Sequence, residues 1–416
     1  MVRALTIAVA TGIVLVGFAF DWVLGGAPGI GRMQMAVFAL GACVALTTLL
    51  PYRWNVRTLL LTMGALGALL PAEIGARLIA GERYRPLCVP DDELIFRPLP
   101  ESSRGDVHIN SNGYRGPELR INPTSRIVVY GDSFIEASYT AEDATFVGQL
   151  RQHLDTAELI NAGVAGYGPD QCLIRMRQEL AELKPQVVVL GIFTGNDFGD
   201  LIRNRLFQRQ EEKIVEKRVR LSLRLEREFQ RKHRWPVLLH LINGAIQNRH
   251  FASVNNKEHW LGVARADFHS WQEGAPVILG ADHYEWDIAV APGGDSAIAK
   301  RQLMHAALLQ IRNCCDQHRV PLLVVIIPAE KDIVATDPEL PDDGSWAPKQ
   351  LSTWVEESCN SLSIAHVSLF NSFEPHGQSL YFSTVDNHWN ETGQKLAADI
   401  VARRLRKTVN DCPEEM

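Results

Sequence analysis

The sequence predicts a doubly wound α/β domain on a parallel sheet, carried behind N-terminal apolar helices. Three observations predict it. From Arg126 onward, short β-branched runs alternate with helical stretches, the pattern of a parallel sheet covered on both faces. Blocks rich in Gly, Asp and Asn fall just past the ends of the first three predicted strands, where ligands of such sheets sit. The long apolar runs are confined to residues 1–80, and the rest reads as water-soluble.

The apolar runs are Ala4–Leu24, with Asp21 near its end, then Met33–Leu50 and Leu59–Ala80. Each approaches the ~20 residues that cross a bilayer as a helix, so residues 1–80 are expected to form a membrane anchor of two to three transmembrane helices. Gly25–Arg32 is Gly-rich with one Pro and suits a tight helical hairpin. A cleavable signal peptide is the alternative for the first run. Two apolar runs follow closely, and no clear small-residue cleavage site precedes them. Inside the third run, Glu73 and Arg77 stand at i,i+4 and can pair on one helix face; alternatively the helix ends near Pro71. Arg3 precedes the first run and Arg53 and Arg57 follow the second, against Arg32 in the first loop. The positive-inside rule then favours a cytoplasmic N-terminus. Three spans would make this a multi-pass protein of the inner (cytoplasmic) membrane with everything after about residue 81 extracytoplasmic, the periplasm in a Gram-negative bacterium; Arg77, Arg83 and Arg85 count against that orientation.

Residues 81–125 read as an irregular lead-in with turn signals at Asn112-Gly113-Tyr114-Arg115-Gly116-Pro117. The α/β domain spans residues 126–406, followed by a tail at 407–416. Its predicted strands are Arg126–Tyr130, Leu159–Asn161, Pro185–Phe193, Leu322–Ile327 and Ala365–Leu369. Its predicted helices are Phe146–Leu154, Gln171–Leu183, Ala297–His318 and Glu391–Arg406. An insertion at about 200–290 separates the third and fourth strands. Residues 203–250 hold 13 Lys and Arg against 5 Glu and no Asp. Val219, Leu221, Leu223 and Leu225 alternate as in a strand, and Trp235–Ile246 reads as an apolar helix. The insertion is either a lid or lipid-headgroup surface, or a solvated, salt-bridged excursion.

The 416 residues carry 42 Lys and Arg against 48 Asp and Glu, a net charge of −6 that gives no basic excess for nucleic acid. Seven cysteines, Cys43, Cys88, Cys172, Cys314, Cys315, Cys359 and Cys412, lack the paired C-x-x-C spacing of a zinc site. One or two disulfides and buried free thiols both remain open. No metal and no cofactor is implied.

The chemistry lies in four blocks, Gly131-Asp132-Ser133-Phe134, Asn161-Ala162-Gly163-Val164-Ala165-Gly166, Gly195-Asn196-Asp197 and Asp386-Asn387-His388-Trp389. A serine needs a base within hydrogen-bond reach and a group that orients the base. Ser133, His388 and Asp386 supply these, and a separation of two lets one loop deliver both Asp386 and His388. The Ser133 and Gly166 backbone N–H groups and the Asn196 side-chain amide are the expected oxyanion donors. Asn196 has an alternative as a helix cap, and Gly166 as a tight turn. The turn is the preferred reading of Gly163. Asp132 and Asp197 read as loop-bracing residues, and Trp389 as either a sugar-stacking or a packing residue.

These blocks resemble the SGNH, or GDSL-type, hydrolases over about residues 126–406. The resemblance implies a flavodoxin-like three-layer α/β/α domain with a five-stranded sheet and metal-independent ester hydrolysis or acyl transfer. Ser133 and His388 are its core pair, and Gly166 and Asn196 belong to its oxyanion hole. The usual block spaces Asp and His as D-x-x-H, which would put the acid at Val385. Here D-x-H-W-N with Asp386 is similar to the alginate O-acetyltransferase-like branch and related membrane-tethered members, and tilts the substrate towards acetylated, exported polysaccharide. The leading expectation is a membrane-anchored esterase removing an acyl, foremost O-acetyl, group from an extracytoplasmic carbohydrate. O-acyl transfer to a polysaccharide, a lipid or thioester substrate, and a non-catalytic glycan-binding or assembly role are the alternatives.

Overall fold

The computed structural model describes residues 1–24, 32–210, 213–216, 236–242, 257–275, 283–334, 346–347, 349–382 and 387–410. The chain divides into two compact units, Met1–Pro90 with Leu221–Ser253, and Asp91–Arg220 with Val254–Met416.

In the first unit, helices α1 (Val2–Leu24), α2 (Arg32–Leu46) and α3 (Tyr52–Ala80) follow the three apolar runs. Gly17 and Gly41 let α1 and α2 approach closely: a Cβ at Gly17 would lie 2.6 Å from the Phe38 ring, and one at Gly41 2.6 Å from Val14. Polar groups face inward. Buried Thr6 donates to Asn55 Oδ1 at 3.1 Å. Apolar side chains face outward, with Leu61 75%, Leu78 84% and Ile79 87% exposed. The second run is shorter than expected. Its α-helix has 15 residues and tightens into a 3-10 turn at Thr47–Leu49, so only α1 and α3 are long and apolar enough among the described helices to cross a membrane. α3 does not stop at Pro71. It runs through, and Glu73 meets Arg77 at 2.6 Å. Both Glu73 oxygens also accept N–H groups, from Val237 at 3.0 Å and Leu238 at 2.9 Å. Val237 packs on Ala76 and Ala80. Residues 237–242 are helical, so the acid caps this part of the expected Trp235–Ile246 helix. The expected strand at Val219–Leu225 lies outside the described residues.

The second unit holds a five-stranded sheet: β1 (Arg126–Gly131), β2 (Glu158–Gly163), β3 (Val187–Phe193), β4 (Leu322–Ile327) and β5 (Ala365–Ser368). All neighbours are parallel and the spatial order is β5-β4-β3-β1-β2. This is the flavodoxin order, which reverses direction between β1 and β3. Ile127, Val128, Val129, Val188, Val189, Val324 and Val325 are fully buried, as strands covered on both faces require. Right-handed crossovers running in opposite directions from β1 put the helices on opposite faces. The nucleophile turn α4 (Ser133–Glu136) and helix α5 (Phe146–His153) follow β1; α6 (Pro169–Leu183) follows β2, and α7 (Asp197–Asn204) follows β3. The long α8 (Asp295–Gln317) precedes β4, α9 (Gln350–Ser361) precedes β5, and α10 (Glu391–Asn410) closes the described chain. α5 and α10 pack together, and α8 packs with both α6 and α9.

Local chemistry sets these boundaries. Thr145 Oγ1 caps α5 by accepting from Gly148 N at 3.0 Å, and Pro169 opens α6 where a missing N–H costs nothing. Asn390 Oδ1 accepts from Thr392 N at 2.9 Å and Gly393 N at 3.1 Å, starting α10 directly after the histidine block. The insertion contributes the helix Lys257–Gln272 and a strand pair, Phe207–Gln210 with Lys213–Glu216. Cys172, Cys314, Cys315 and Cys359 are buried free thiols.

Candidate active site

Three neighbouring strands, β2, β1 and β3, deliver three of the blocks to one edge of the sheet. Gly131 and Gly163 are register partners at the ends of β1 and β2. Neither tolerates a side chain, since a Cβ would come 2.4 Å from Ile135 Cγ1 at Gly131 and 2.5 Å from Glu136 N at Gly163. Gly163 therefore seats the nucleophile turn against β2, a closer constraint than the tight turn expected for it.

Ser133 begins α4, with Asp132 as its cap: Asp132 Oδ1 accepts the Phe134 N–H at 2.9 Å. The turn is one helical turn long and ends at Ala137 in the left-handed region, φ 55°. Across the site, His388 Nε2 lies 2.7 Å from Ser133 Oγ, closing a contact between residues 255 apart in sequence. The imidazole stacks on Phe134, with ring centroids 4.8 Å apart. Below it, Trp389 is fully buried against Phe134, Phe146 and Phe373, so it packs beneath the histidine loop. Asn390 ties that loop down through Nδ2 bonds to Ser379 O at 2.8 Å and Tyr381 O at 3.0 Å. Asp386 lies outside the described residues.

Gly166 follows β2 with φ +82°, a conformation that favours glycine, in a turn closed by Tyr167 N donating to Val164 O at 3.0 Å. Asn196 follows β3. It occupies the cap position of α7, but its side chain makes no capping bond; its main-chain carbonyl accepts from Gly199 N at 2.8 Å and Asp200 N at 2.9 Å. Its side-chain Oδ1 is buried and accepts no hydrogen bond among the described residues. Asp197 Oδ2 accepts the Phe193 N–H at 2.8 Å, bracing the block as expected. Burial, with Asp132 and Asp200 adding to it, pushes the Asp197 carboxyl well above the usual range.

A buried ionic cluster holds the Asn196 block from behind. Lys300, 1% exposed, bonds Glu285 and reaches Asp287 Oδ1 at 2.9 Å. Arg203 spans Asp200 Oδ1 at 2.8 Å, Glu285 Oε1 at 3.3 Å and the Asn196 carbonyl at 3.2 Å. The Glu285 N–H donates to Gly195 O at 3.1 Å. Burial opposes both charges, yet Lys300 holds the Asp287 carboxyl below its usual range, and Glu285 first, then Asp287, hold the lysine above its own. Sequence reading missed this cluster because its members are spread over 200–300 with no motif spacing. It also missed Tyr139, 64% exposed, whose ring lies 6.0 Å from that of His388 and 6.3 Å from Phe382.

An α/β fold with a five-stranded parallel sheet in this order matches the SGNH topology. More particularly, residues 283–416, which hold the histidine block, match the family described as the SGNH hydrolase-like domain of the acetyltransferase AlgX. Among solved structures, an acetyl xylan esterase, AlAXEase, is 14% identical, covering 67% of this chain and 99% of its own with a TM-score of 0.36. The psychrotrophic esterase EstA from Pseudoalteromonas sp. is 12% identical, covering 69% of this chain and 100% of its own, also at 0.36. No curated protein matches the sequence.

Proposed function

We propose that the protein is a membrane-anchored serine esterase of the SGNH type that cleaves an acyl ester, foremost O-acetyl, on an extracytoplasmic carbohydrate. The observation that carries this reading is the 2.7 Å approach of His388 Nε2 to Ser133 Oγ at the point where the strand order reverses. In this reading His388 takes the Ser133 proton as Oγ attacks the acyl carbon. The oxyanion that forms is held by the Ser133 and Gly166 N–H groups and the Asn196 amide. His388 returns the proton to the departing sugar oxygen, leaving an acyl-Ser133. Water, activated by the same histidine, then releases the acid. Asp386, two residues before His388, is the proposed orienting group of the imidazole.

Transfer to a sugar hydroxyl in place of water is the second reading, favoured by the likeness of residues 283–416 to a family described as an acetyltransferase. The outward apolar faces of α1 and α3 support an inner-membrane anchor; with the α2 segment counted as a third span, Arg3, Arg53 and Arg57 share one side, the cytoplasmic one by the positive-inside rule, and the catalytic unit follows on the extracytoplasmic side.

The test is p-nitrophenyl acetate turnover by the detergent-solubilised full chain, with and without an oligosaccharide acceptor, beside fluorophosphonate labelling. Ser133→Ala and His388→Ala are expected to abolish turnover with the fold retained, and Asp386→Asn to be less severe. Acetylated acceptor would select transfer over hydrolysis. Labelling that persists in Ser133→Ala would sink the assignment.

A further inference from the structure

The lead-in motif Asn112–Pro117 contributes a charge to the site that ester chemistry does not by itself call for. Arg115 is 1% exposed, and its guanidinium spends its donors on one turn of main chain. Nη1 bonds the carbonyl of Glu136 and reaches that of Ala137 at 2.5 Å; Nη2 donates to Thr140 O at 2.6 Å; Nε meets Glu142 Oε2 at 3.0 Å. Glu136 is the last residue of α4 and Ala137 its C-cap. A four-residue helix has almost no internal ladder to satisfy its last carbonyls, and a cation there complements the exposed carbonyl end. The same turn begins at Ser133, whose carbonyl accepts from Ala137 N at 2.8 Å. The Arg115 main chain closes a ring: its N–H donates to Asn161 O at 3.0 Å, and Asn161 Nδ2 donates to Ile135 O at 2.8 Å. Gly116 leaves the motif at φ +105°, and a Cβ there would strike Glu142 Oε1 at 2.5 Å, the carboxylate that also binds Arg151.

We infer that Arg115 is a positioning residue for the nucleophile, acting through the carbonyls of Glu136, Ala137 and Thr140 to fix the turn that aims the Ser133 hydroxyl at His388 and its N–H at the developing oxyanion. The catalytic part of this inference rests on the serine-esterase reading above. Lysine can keep the charge but lacks the planar fork needed to hold three carbonyls and a carboxylate together. Displacing a reacting group by about 1 Å can cost about 100-fold.

The experiment compares full-length wild type, Ser133→Ala and Arg115→Lys in detergent, with Arg115→Ala as a harsher variant. Amide hydrogen exchange across residues 133–140 is read beside kcat, KM and the rate of fluorophosphonate labelling. Arg115→Lys is expected to keep a thermal midpoint close to wild type. Exchange in 133–140 should quicken about tenfold with other segments unchanged, while kcat and the labelling rate fall about 10- to 100-fold and KM stays within about 2-fold. Unchanged exchange at 133–140, or kcat and labelling within about 2-fold of wild type in an active protein, would overturn the proposal. So would a kcat loss that only tracks a loss of folded protein. If wild type shows no Ser133-dependent labelling, the esterase reading fails, and exchange alone then decides whether Arg115 fixes the turn.

Discussion

Asn196 is the residue at which the proposed oxyanion role and a structural role predict different outcomes. It stands where a helix cap belongs but makes no capping bond. Replacing it with alanine should therefore lower kcat by about 100- to 1000-fold, the usual cost of losing an oxyanion donor, with little change in thermal midpoint. Steady-state kinetics beside calorimetry checks this, and a matching loss of stability would return Asn196 to a structural role. At this scale the Ser133–His388 contact was legible because each residue belongs to a short block of chemically distinctive residues. Arg115 was legible only as part of a turn. Its partners are main-chain carbonyls, which leave no complementary residue type in the sequence. Trp389 could be read as sugar-stacking or packing, and only its burial among Phe134, Phe146 and Phe373 decides for packing.

The elements are braced by buried polar contacts that carry their own pH dependence. Asp170, in the first turn of α6, accepts from Asn204 of α7 at 3.0 Å and from Gln171 N at 2.9 Å. Burial outweighs these bonds and pushes its carboxyl up to about 7. A raised folded value means that the folded state holds a proton the unfolded state has lost. Stability contributed by Asp170 is present in full below the unfolded value near 4 and is lost as pH rises to about 7. The stability of Asp170→Asn relative to wild type should accordingly be greater at pH 8 than at pH 5, measured by urea unfolding at both. Lys300→Met tests the cluster behind Asn196. It leaves the buried Asp287 carboxylate without its cation and Glu285 with Arg203 alone, and should cost about 3–5 kcal/mol by the same method. The five strands and the helices Phe146–His153, Pro169–Leu183, Asp295–Gln317 and Glu391–Asn410 were legible from β-branched runs and helical spacing. The helices Asp197–Asn204, Gln350–Ser361 and Lys257–Gln272 were not: the first is only eight residues long, and the other two flank no motif block in the sequence.

For the whole molecule, the first unit reverses the ordinary rule of apolar inside and polar outside, with Thr6 and Asn55 buried and Leu78 and Ile79 exposed. The full chain should therefore partition with membranes and resist carbonate extraction, whereas release by carbonate would leave the apolar faces to a protein partner. Hydropathy made α1 and α3 legible. It overstated α2, because the apolar run continues past the last α-helical residue, Leu46, into a 3-10 turn and Pro51.

The order of the pair along the chain also has a consequence in time. Ser133 and His388 are 255 residues apart, and a ribosome adds about 5–20 residues each second. The serine thus emerges about 13–50 s before its partner base has been synthesised. Throughout that interval the nascent chain carries a hydroxyl of ordinary reactivity. In the proposed serine-esterase reading, acyl chemistry at Ser133 starts only when the C-terminal segment arrives and docks, so a chain stalled or truncated before His388 is expected to be inert.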